Sequence, residues 1–183
     1  KTNTPLGGRL LKEYIKFSLI EIEEIKKRHD LVKIFIDETN LLTSLRNFLK
    51  ETPDVERAIS RITANINNPR DLIIVLNFLK TSQNIFRILK DYHNTKFKTL
   101  YLEESILKKL LNLENLIEKT INPNTPNIIT NGDVINAGVE PELDRLRDIK
   151  SIKKEEIIKL QLDYIKETEV GNLKIKFNNI HGY

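Results

Sequence analysis

The chain contains no cysteine, methionine or tryptophan among its 183 residues, and only six glycines and six prolines. Without cysteine there is no disulfide, no thiolate zinc ligand and no thiol nucleophile. The missing methionine predicts that the sequence is an excerpt of a longer protein. No apolar run reaches the ~18 residues that a membrane-spanning helix needs, and no secretory leader is recognisable. We therefore expect a cytoplasmic protein without a membrane partner.

The residues that are present indicate a soluble, folded chain. Hydrophobic residues make up 39% and charged residues 31% of the sequence, which suits a real core under a well-solvated surface. A length of 183 residues fits one compact domain, or one domain with an extension, better than two. The formal charge of +4 permits an anionic partner but falls short of a dense nucleic-acid-binding surface.

Helical periodicity runs through most of the chain. Two helix starts are marked by capping residues, Thr4-Pro5 and Asn68-Pro69, the second with Asp71 at the capping-box position. Asn40 is a third candidate N-cap. The apolar spacing predicts a first helix that ends near Phe17, further helices over roughly 20–37, 40–51, 52–62, 70–90 and 102–120, and a last one over 141–169.

The last third of the chain departs from this pattern. Residues 122–133 hold two prolines and an Asn-Gly pair, which predicts a connector and the best internal boundary. The helix predicted for 141–169 is rich in charge with a thin apolar stripe, so we expect it to stand partly free in solvent or against a partner. Residues 172–178 alternate apolar and polar side chains, which predicts a strand whose pairing partner lies beyond Tyr183.

The glycine pair Gly7-Gly8, followed by Arg9, raises the question of a phosphate-binding loop. A Walker loop needs the spacing G-x-x-x-x-G-K-[ST] after an apolar strand, and neither condition is met. The pair instead follows a capped helix start, where small residues allow close packing. We therefore expect the glycines to serve packing and Arg9 to be structural or solvent-facing.

No arrangement of residues indicates catalysis or metal binding. The three histidines, His29, His93 and His181, lie far apart and lack a histidine partner four residues away, which disfavours a metal site. Adjacent carboxylates such as Glu23-Glu24 do not share a helix face, so we expect them to be solvated. No serine stands in a G-x-S-x-G elbow. We predict no catalytic residue and no metal in this chain.

Lys174 and Lys176 form the cationic face of the predicted strand. Two lysines at this spacing suit contacts with a phosphate backbone, which would be independent of base sequence. Exposed lysines on a strand face are more often simply solvated. The spacing alone leaves both interpretations open.

Five segments follow one another in a distinctive order. They are KTNTPLGGRLLKEYIKFSL (1–19), PDVERAISRI (53–62), NPRDLIIV (68–75), NGDVINAGVEPELDRLRDI (131–149) and GNLKIKFNNIHGY (171–183). Together they closely resemble the central region of the MutS family of DNA mismatch repair ATPases, in order and in spacing, over essentially the whole chain. Two departures are mild: Tyr14 stands where the family commonly has Trp, and Ser18-Leu19 where it has Pro-Leu.

The resemblance implies a mainly α fold from the core, or lever, region of that family. The expected domains are a helical bundle over 1–150 and the truncated base of the clamp over 151–183, with a long protruding helix and a small β element at the C-terminal end. In the family a mismatch-probing domain precedes this region and a nucleotide-binding domain follows it. ATP and Mg²⁺ would therefore bind elsewhere in the full-length protein, and this chain would hold no cofactor.

The resemblance also implies a function. The chain would be a non-catalytic region that couples nucleotide state to closure around DNA and contacts the DNA backbone non-specifically through Lys174, Lys176, Asn178, Asn179 and His181. The implied partners are double-stranded DNA, the other MutS domains, a second subunit and a MutL-type protein, in the bacterial cytosol or on the nucleoid. The alternative, taken from the residues alone, is a helical protein-interaction module without DNA binding.

Overall fold

The computed structural model describes residues 2–66, 68–92, 97 and 102–178, and these are mainly α-helical. No β-sheet is formed within these ranges. The helices are α1 (Pro5–Lys16), α2 (Ile22–Asp37), α3 (Thr39–Glu51), α4 (Val55–Thr63), α5 (Pro69–Asp91), α6 (Glu104–Thr120) and α7 (Pro141–Thr168), and a short 3₁₀ turn spans Ile129–Asn131. The seven helices predicted from apolar spacing are confirmed, with ends that differ by a few residues.

Capping residues fix two of the helix starts as the sequence predicts. Thr4 Oγ1 accepts a hydrogen bond from the Gly7 N–H at 2.9 Å at the start of α1. At the start of α5, Asn68 Oδ1 accepts from the Arg70 N–H at 2.9 Å, and Asp71 Oδ2 accepts from the Asn68 N–H at 3.0 Å. These contacts satisfy backbone donors that have no partner inside a helix.

The predicted N-cap at Asn40 is wrong. α3 begins at Thr39, and its N-cap is Glu38, which is also the C-cap of α2. Because a single residue separates the two helices, the chain has already turned before Asn40, which lies in the first turn of α3.

The long helix α5 is the centre of the first compact unit, Lys1–Asn136. It packs against α3, α4 and α6, and α2 packs against α3. Toward its C-terminal end, Leu89 belongs to a buried cluster with Leu41 and Leu45 of α3. Toward its N-terminal end, Leu76 belongs to a second buried cluster, with Ile117 of α6. One helix therefore joins two separate pieces of core.

By length and apolar composition alone, α5 is the one helix among the described residues that could cross a membrane. The central helix of a soluble domain meets the same two conditions. Since α5 contacts three other helices and carries buried leucines shared with two of them, packing accounts for its apolar character.

The predicted connector ends α6 and holds the chain that follows it. Ile121 and Ile135 form an isolated antiparallel bridge, and Gly132, at φ +79°, lies in the turn between them. The Asn136 side-chain amide donates to three carbonyl oxygens, those of Glu118, Lys119 and Ile121, at 3.1, 3.0 and 3.2 Å. Asn136 thereby caps carbonyls at the C-terminus of α6, which would otherwise lack partners.

The second compact unit is Ala137–Tyr183. Its helix α7 has 28 residues, none of them buried, and runs without a break through residues 150 and 151. The predicted boundary between those two residues therefore lies inside a continuous helix, and the assignment of 1–150 to a lever and 151–183 to a clamp stays a prediction.

The strand predicted for 172–178 is not formed as part of a sheet in the described residues. A stable sheet needs several paired residues on a neighbouring strand, and residues 173–177 are not assigned to a strand. Instead, the Ile175 N–H donates to the side-chain oxygen of Gln161 on α7 at 3.0 Å. The Gln161 side chain thus accepts the hydrogen bond that a carbonyl of a neighbouring strand would accept in a sheet.

Candidate nucleic-acid interface and its framework

The segment that follows α7 presents its side chains with the predicted alternation up to Lys176, whereas Phe177, predicted on the apolar face, is 61% exposed. Leu173 and Ile175 are half-buried, whereas Lys174 and Lys176 are exposed. The Leu173 N–H donates to the Val170 carbonyl at 3.2 Å, and Ile175 is tied to α7 through Gln161. The apolar side chains and these two hydrogen bonds hold the segment while both ammonium groups remain in solvent.

Three of the five predicted contact residues lie in this described segment. Lys174, Lys176 and Asn178 are exposed and stand within five consecutive positions. Asn179 and His181 lie outside the described residues. Exposed lysine and amide donors suit phosphate oxygens, which need charge and hydrogen bonds but no fixed pocket.

The second unit as a whole carries no net formal charge. Residues 137–183 contain nine acidic and nine basic side chains, histidine apart. On α7, neighbouring turns pair them, as in Arg145 with Glu142 at 2.8 Å and Lys153 with Glu156 at 2.8 Å. The hydrogen bond from Arg145 lowers the pKa of Glu142. Four basic residues of α7 are paired in this way, whereas Lys150, Lys154 and Lys159 of α7 and the two lysines of the following segment have no ion pair within the described residues.

Arg9 is structural, as one of the two interpretations from sequence expects. Its guanidinium binds Asp54 through two hydrogen bonds, Nη1 to Oδ2 at 3.1 Å and Nη2 to Oδ1 at 2.5 Å. Its Nε donates to Glu56 as well. The hydrogen bond from Arg9 holds the pKa of the Asp54 carboxyl below its usual value. Arg9 thus connects α1 to the start of α4.

The glycines beside Arg9 have no free donors for a phosphate. The Gly7 N–H is taken by Thr4 Oγ1 at 2.9 Å, and the Gly8 N–H by the Thr4 carbonyl at 3.0 Å. A Cβ on Gly7 would lie 2.9 Å from Thr4 Oγ1, closer than carbon and oxygen pack. The packing interpretation of this pair therefore holds at Gly7, where the absence of a side chain makes room for the helix cap.

A second guanidinium joins α4 to α5. Asp71 is only 1% exposed and accepts from Arg61 Nε at 3.0 and 3.1 Å, in addition to a contact with Arg61 Nη2. The same carboxylate caps the Asn68 N–H. The hydrogen bond from Arg61 keeps the pKa of Asp71 below its ordinary value, against the opposing effect of burial. One buried carboxylate therefore fixes both the start of α5 and its position against α4.

Sequence reasoning did not single out Asp54 or Asn136. Asp54 precedes a helix, where acids are common for local reasons, and its partner Arg9 stands 45 residues away. Asn136 reaches back to α6 across a connector. Both residues lie inside the motifs that carry the family resemblance, and that was the only available signal.

No group of three potential metal ligands lies together in the described part of the chain. Of the three histidines, His29 is described, whereas His93 and His181 fall outside the described ranges. The candidate site therefore consists of the exposed lysines Lys174 and Lys176. The ion pairs of Arg9 and Arg61 belong to the framework of the first unit.

Comparison with known proteins places this framework in a family. The family model for MutS domain III matches residues 1–174. The chain is 33% identical over its whole length to the DNA mismatch repair protein MutS of Flavobacterium psychrophilum, and 32% identical to that of Rickettsia prowazekii, also over its whole length. A protein of the same name from Rickettsia bellii is 35% identical over 99% of the chain. The chain spans about a fifth of the length of these relatives. It belongs to the MutS family, in which it corresponds to domain III.

Proposed function

We propose that the chain is the lever and clamp-base region of a MutS-like DNA mismatch repair ATPase. In this role it has no catalytic residue of its own. It couples the nucleotide state of an ATPase domain to closure around DNA, and it contacts the DNA backbone without reading the sequence. Its partners are double-stranded DNA, the other domains of the protein, a second subunit and a MutL-type protein.

The observation that carries this proposal is the match of residues 1–174 to MutS domain III. The relatives that the chain matches over its whole length are named DNA mismatch repair proteins. The match spans one domain of much longer proteins.

The packing of the first unit supports transmission of movement. Packed helices shift as rigid bodies because a close-packed core resists continuous deformation. Here α5 shares one cluster of buried residues with α3 and another with α6. The ion pair of Arg61 with Asp71 adds a fixed point between α4 and α5. A displacement applied to one of these helices is therefore passed to the others.

Lys174 and Lys176 are the proposed backbone contacts, with Asn178, Asn179 and His181 as further candidates. Both lysines are exposed, and no ion pair involves either of them within the described residues. Because the second unit carries as many acids as bases, the attraction of this unit to DNA must come from local charges such as these. We therefore expect weak binding that is steeply reduced by salt.

The test is binding of the chain to a 30-base-pair duplex, titrated with NaCl and followed by fluorescence anisotropy. Each phosphate contact contributes about 0.9 to the slope of log K against log salt, so replacing both lysines by alanine should reduce that slope by about 2. Affinity at low salt should fall at the same time, equally for matched and mismatched duplexes.

The control variant replaces Lys26 and Lys27 of α2 by alanine. These are also two exposed lysines, but they pair with Glu23 at 3.4 Å and Glu24 at 2.6 Å on the same helix. This variant removes the same charge and should leave the slope within about half a unit. If the Lys174 and Lys176 variant binds with unchanged affinity and slope, the segment is not the DNA contact.

The assignment to an ATPase is tested separately in the gene. Sequencing downstream of the codon for Tyr183 should show a G-x-x-x-x-G-K-[ST] loop within a few hundred codons. A stop codon soon after that position would contradict the assignment.

A further inference from the structure

Helix α1 is attached to the bundle differently from the other helices of its unit. Like α2, it has no buried residue, although it carries several large apolar side chains. The extensively packed helix pairs of the unit are α4 with α5, α3 with α5, α5 with α6 and α2 with α3, and α1 belongs to none of them. Burial of apolar surface, which holds α5 in place, therefore contributes little to holding α1.

A gap lies under the N-terminal end of α1. A cavity of about 370 Å³ separates Thr4 and Gly7 on one side from Phe35 of α2 and Leu42 and Leu49 of α3 on the other. Atoms that line a gap lack partners on one side and lose the dispersion energy of close contact. The apolar surface of α2 and α3 that faces this end of α1 is therefore incompletely covered.

Among the described residues, two guanidinium groups make specific side-chain contacts between α1 and the rest of its unit. From within α1, Arg9 binds Asp54 and Glu56. From α2, the Arg28 guanidinium carbon lies 3.6 Å from the centre of the Tyr14 ring, a cation–π contact. We call these two contacts the clasps of α1.

Both clasps are partly open to solvent. The side chain of Arg9 is 36% exposed, those of its partners Asp54 and Glu56 are 20% and 54% exposed, and Tyr14 is 41% exposed. Ionic contacts at such exposure are screened by dissolved salt, whereas apolar packing is not weakened by it. Salt should therefore act on α1 and leave the core around α5 intact.

We propose that α1 is a releasable helix, held to the bundle by the Arg9 and Arg28 clasps and able to detach while α2 to α6 remain folded. Release would free the apolar residues of α1 and the surface of α2 and α3 beneath it. This property follows from the attachment of α1 alone and does not depend on the lever assignment.

The test is hydrogen–deuterium exchange of the full chain at 50 mM and 1 M NaCl, read separately for the amides of α1 and α5. In the variant Arg9→Gln with Arg28→Gln, exchange of α1 at 50 mM NaCl should rise about tenfold, the effect of losing two partly exposed contacts. Glutamine is chosen because its helix propensity is close to that of arginine. High salt should produce the same rise in the wild type and little further change in the variant. Exchange of α5 should stay constant throughout.

The matched control is Arg145→Gln, which removes an exposed arginine that pairs with Glu142 on α7 and should leave exchange of α1 unchanged. Because the chain has no tryptophan, Tyr14→Trp gives a second readout from a single tryptophan, excited where the remaining tyrosines do not absorb, and it keeps an aromatic ring over Arg28. Its emission should shift to longer wavelength in 1 M NaCl. The proposal is overturned if α1 exchange responds neither to salt nor to the double variant, or if α1 and α5 lose protection together.

Discussion

The joining of two core clusters by α5 leads to a quantitative prediction. Leu76 and Leu89 are 6% and 5% exposed and lie in different clusters of that helix. Thirteen residues at 1.5 Å each separate them by about 20 Å along the helix axis, too far for direct coupling. If α5 makes the bundle unfold as one cooperative unit, Leu76→Ala and Leu89→Ala must each destabilise both buried clusters.

The size of the effect follows from burial. Replacing leucine by alanine removes about three carbon atoms from the core, at about 0.8 kcal/mol each, and leaves a cavity that adds to the loss. We expect each variant to lower the free energy of opening by roughly 3–4 kcal/mol. Leu116→Ala on α6 is the control, since that side chain is 61% exposed and should change the value by less than about 0.5 kcal/mol.

Native-state hydrogen exchange measures this quantity helix by helix, through the slowest amides of α3 and α6. Each core variant should lower the free energy of opening of both helices by the same amount. The reasoning is refuted if Leu76→Ala weakens only α6 and Leu89→Ala only α3, because the two clusters would then open independently.

Three further predictions concern single polar residues, and urea unfolding checks each of them. Asn68→Ala should lower the free energy of unfolding by about 1 kcal/mol, the usual loss for an N-cap, whereas Asn68→Gly should lose only a few tenths; equal losses would show that the cap is not the cause. Because Arg61 lowers the pKa of Asp71, this carboxylate stabilises the fold above the ordinary aspartate pKa, and that stability is lost as the pH falls through the lowered value. The wild type should thus lose more stability than Asp71→Asn between pH 5 and pH 2, and parallel pH profiles would contradict the assignment. Asn136→Asp should destabilise the chain more than Asn136→Ala, since a carboxylate cannot donate to the three carbonyls of α6 and repels them; the reverse order would mean that the amide hydrogen bonds are unimportant.

Local signals in the sequence were enough to predict most helices and the capping role of Asp71. The start of α5 is specified by residues close in sequence. Asn68 accepts from the Arg70 N–H, and Asp71 accepts from the Asn68 N–H. Apolar spacing places α5 and α6 in the same way, because the pattern of burial repeats with the turn of the helix.

What could not be predicted depends on residues that are distant in sequence. Arg9 can bind Asp54 only when α1 and α4 lie side by side in the fold. No pattern in the neighbouring sequence distinguishes that carboxylate from the others in the chain. The alternation at 172–178 does predict which side chains are exposed up to Lys176, but it cannot supply a partner edge, so a sheet does not follow from it. The family resemblance assigned the domain because it uses the order of the segments, which carries information that local patterns lack.

The central claim is that the helices around α5 move as one body, as a lever requires. The absence of native cysteine allows two spin labels to be placed uniquely, at the exposed positions Ser44 of α3 and Asn112 of α6. Pulsed electron–electron double resonance should give a single narrow distribution of distances between the labels at Ser44→Cys and Asn112→Cys. This distribution should be unchanged between 50 mM and 1 M NaCl. A broad or two-peaked distribution would mean that α3 and α6 move independently, and would contradict the account.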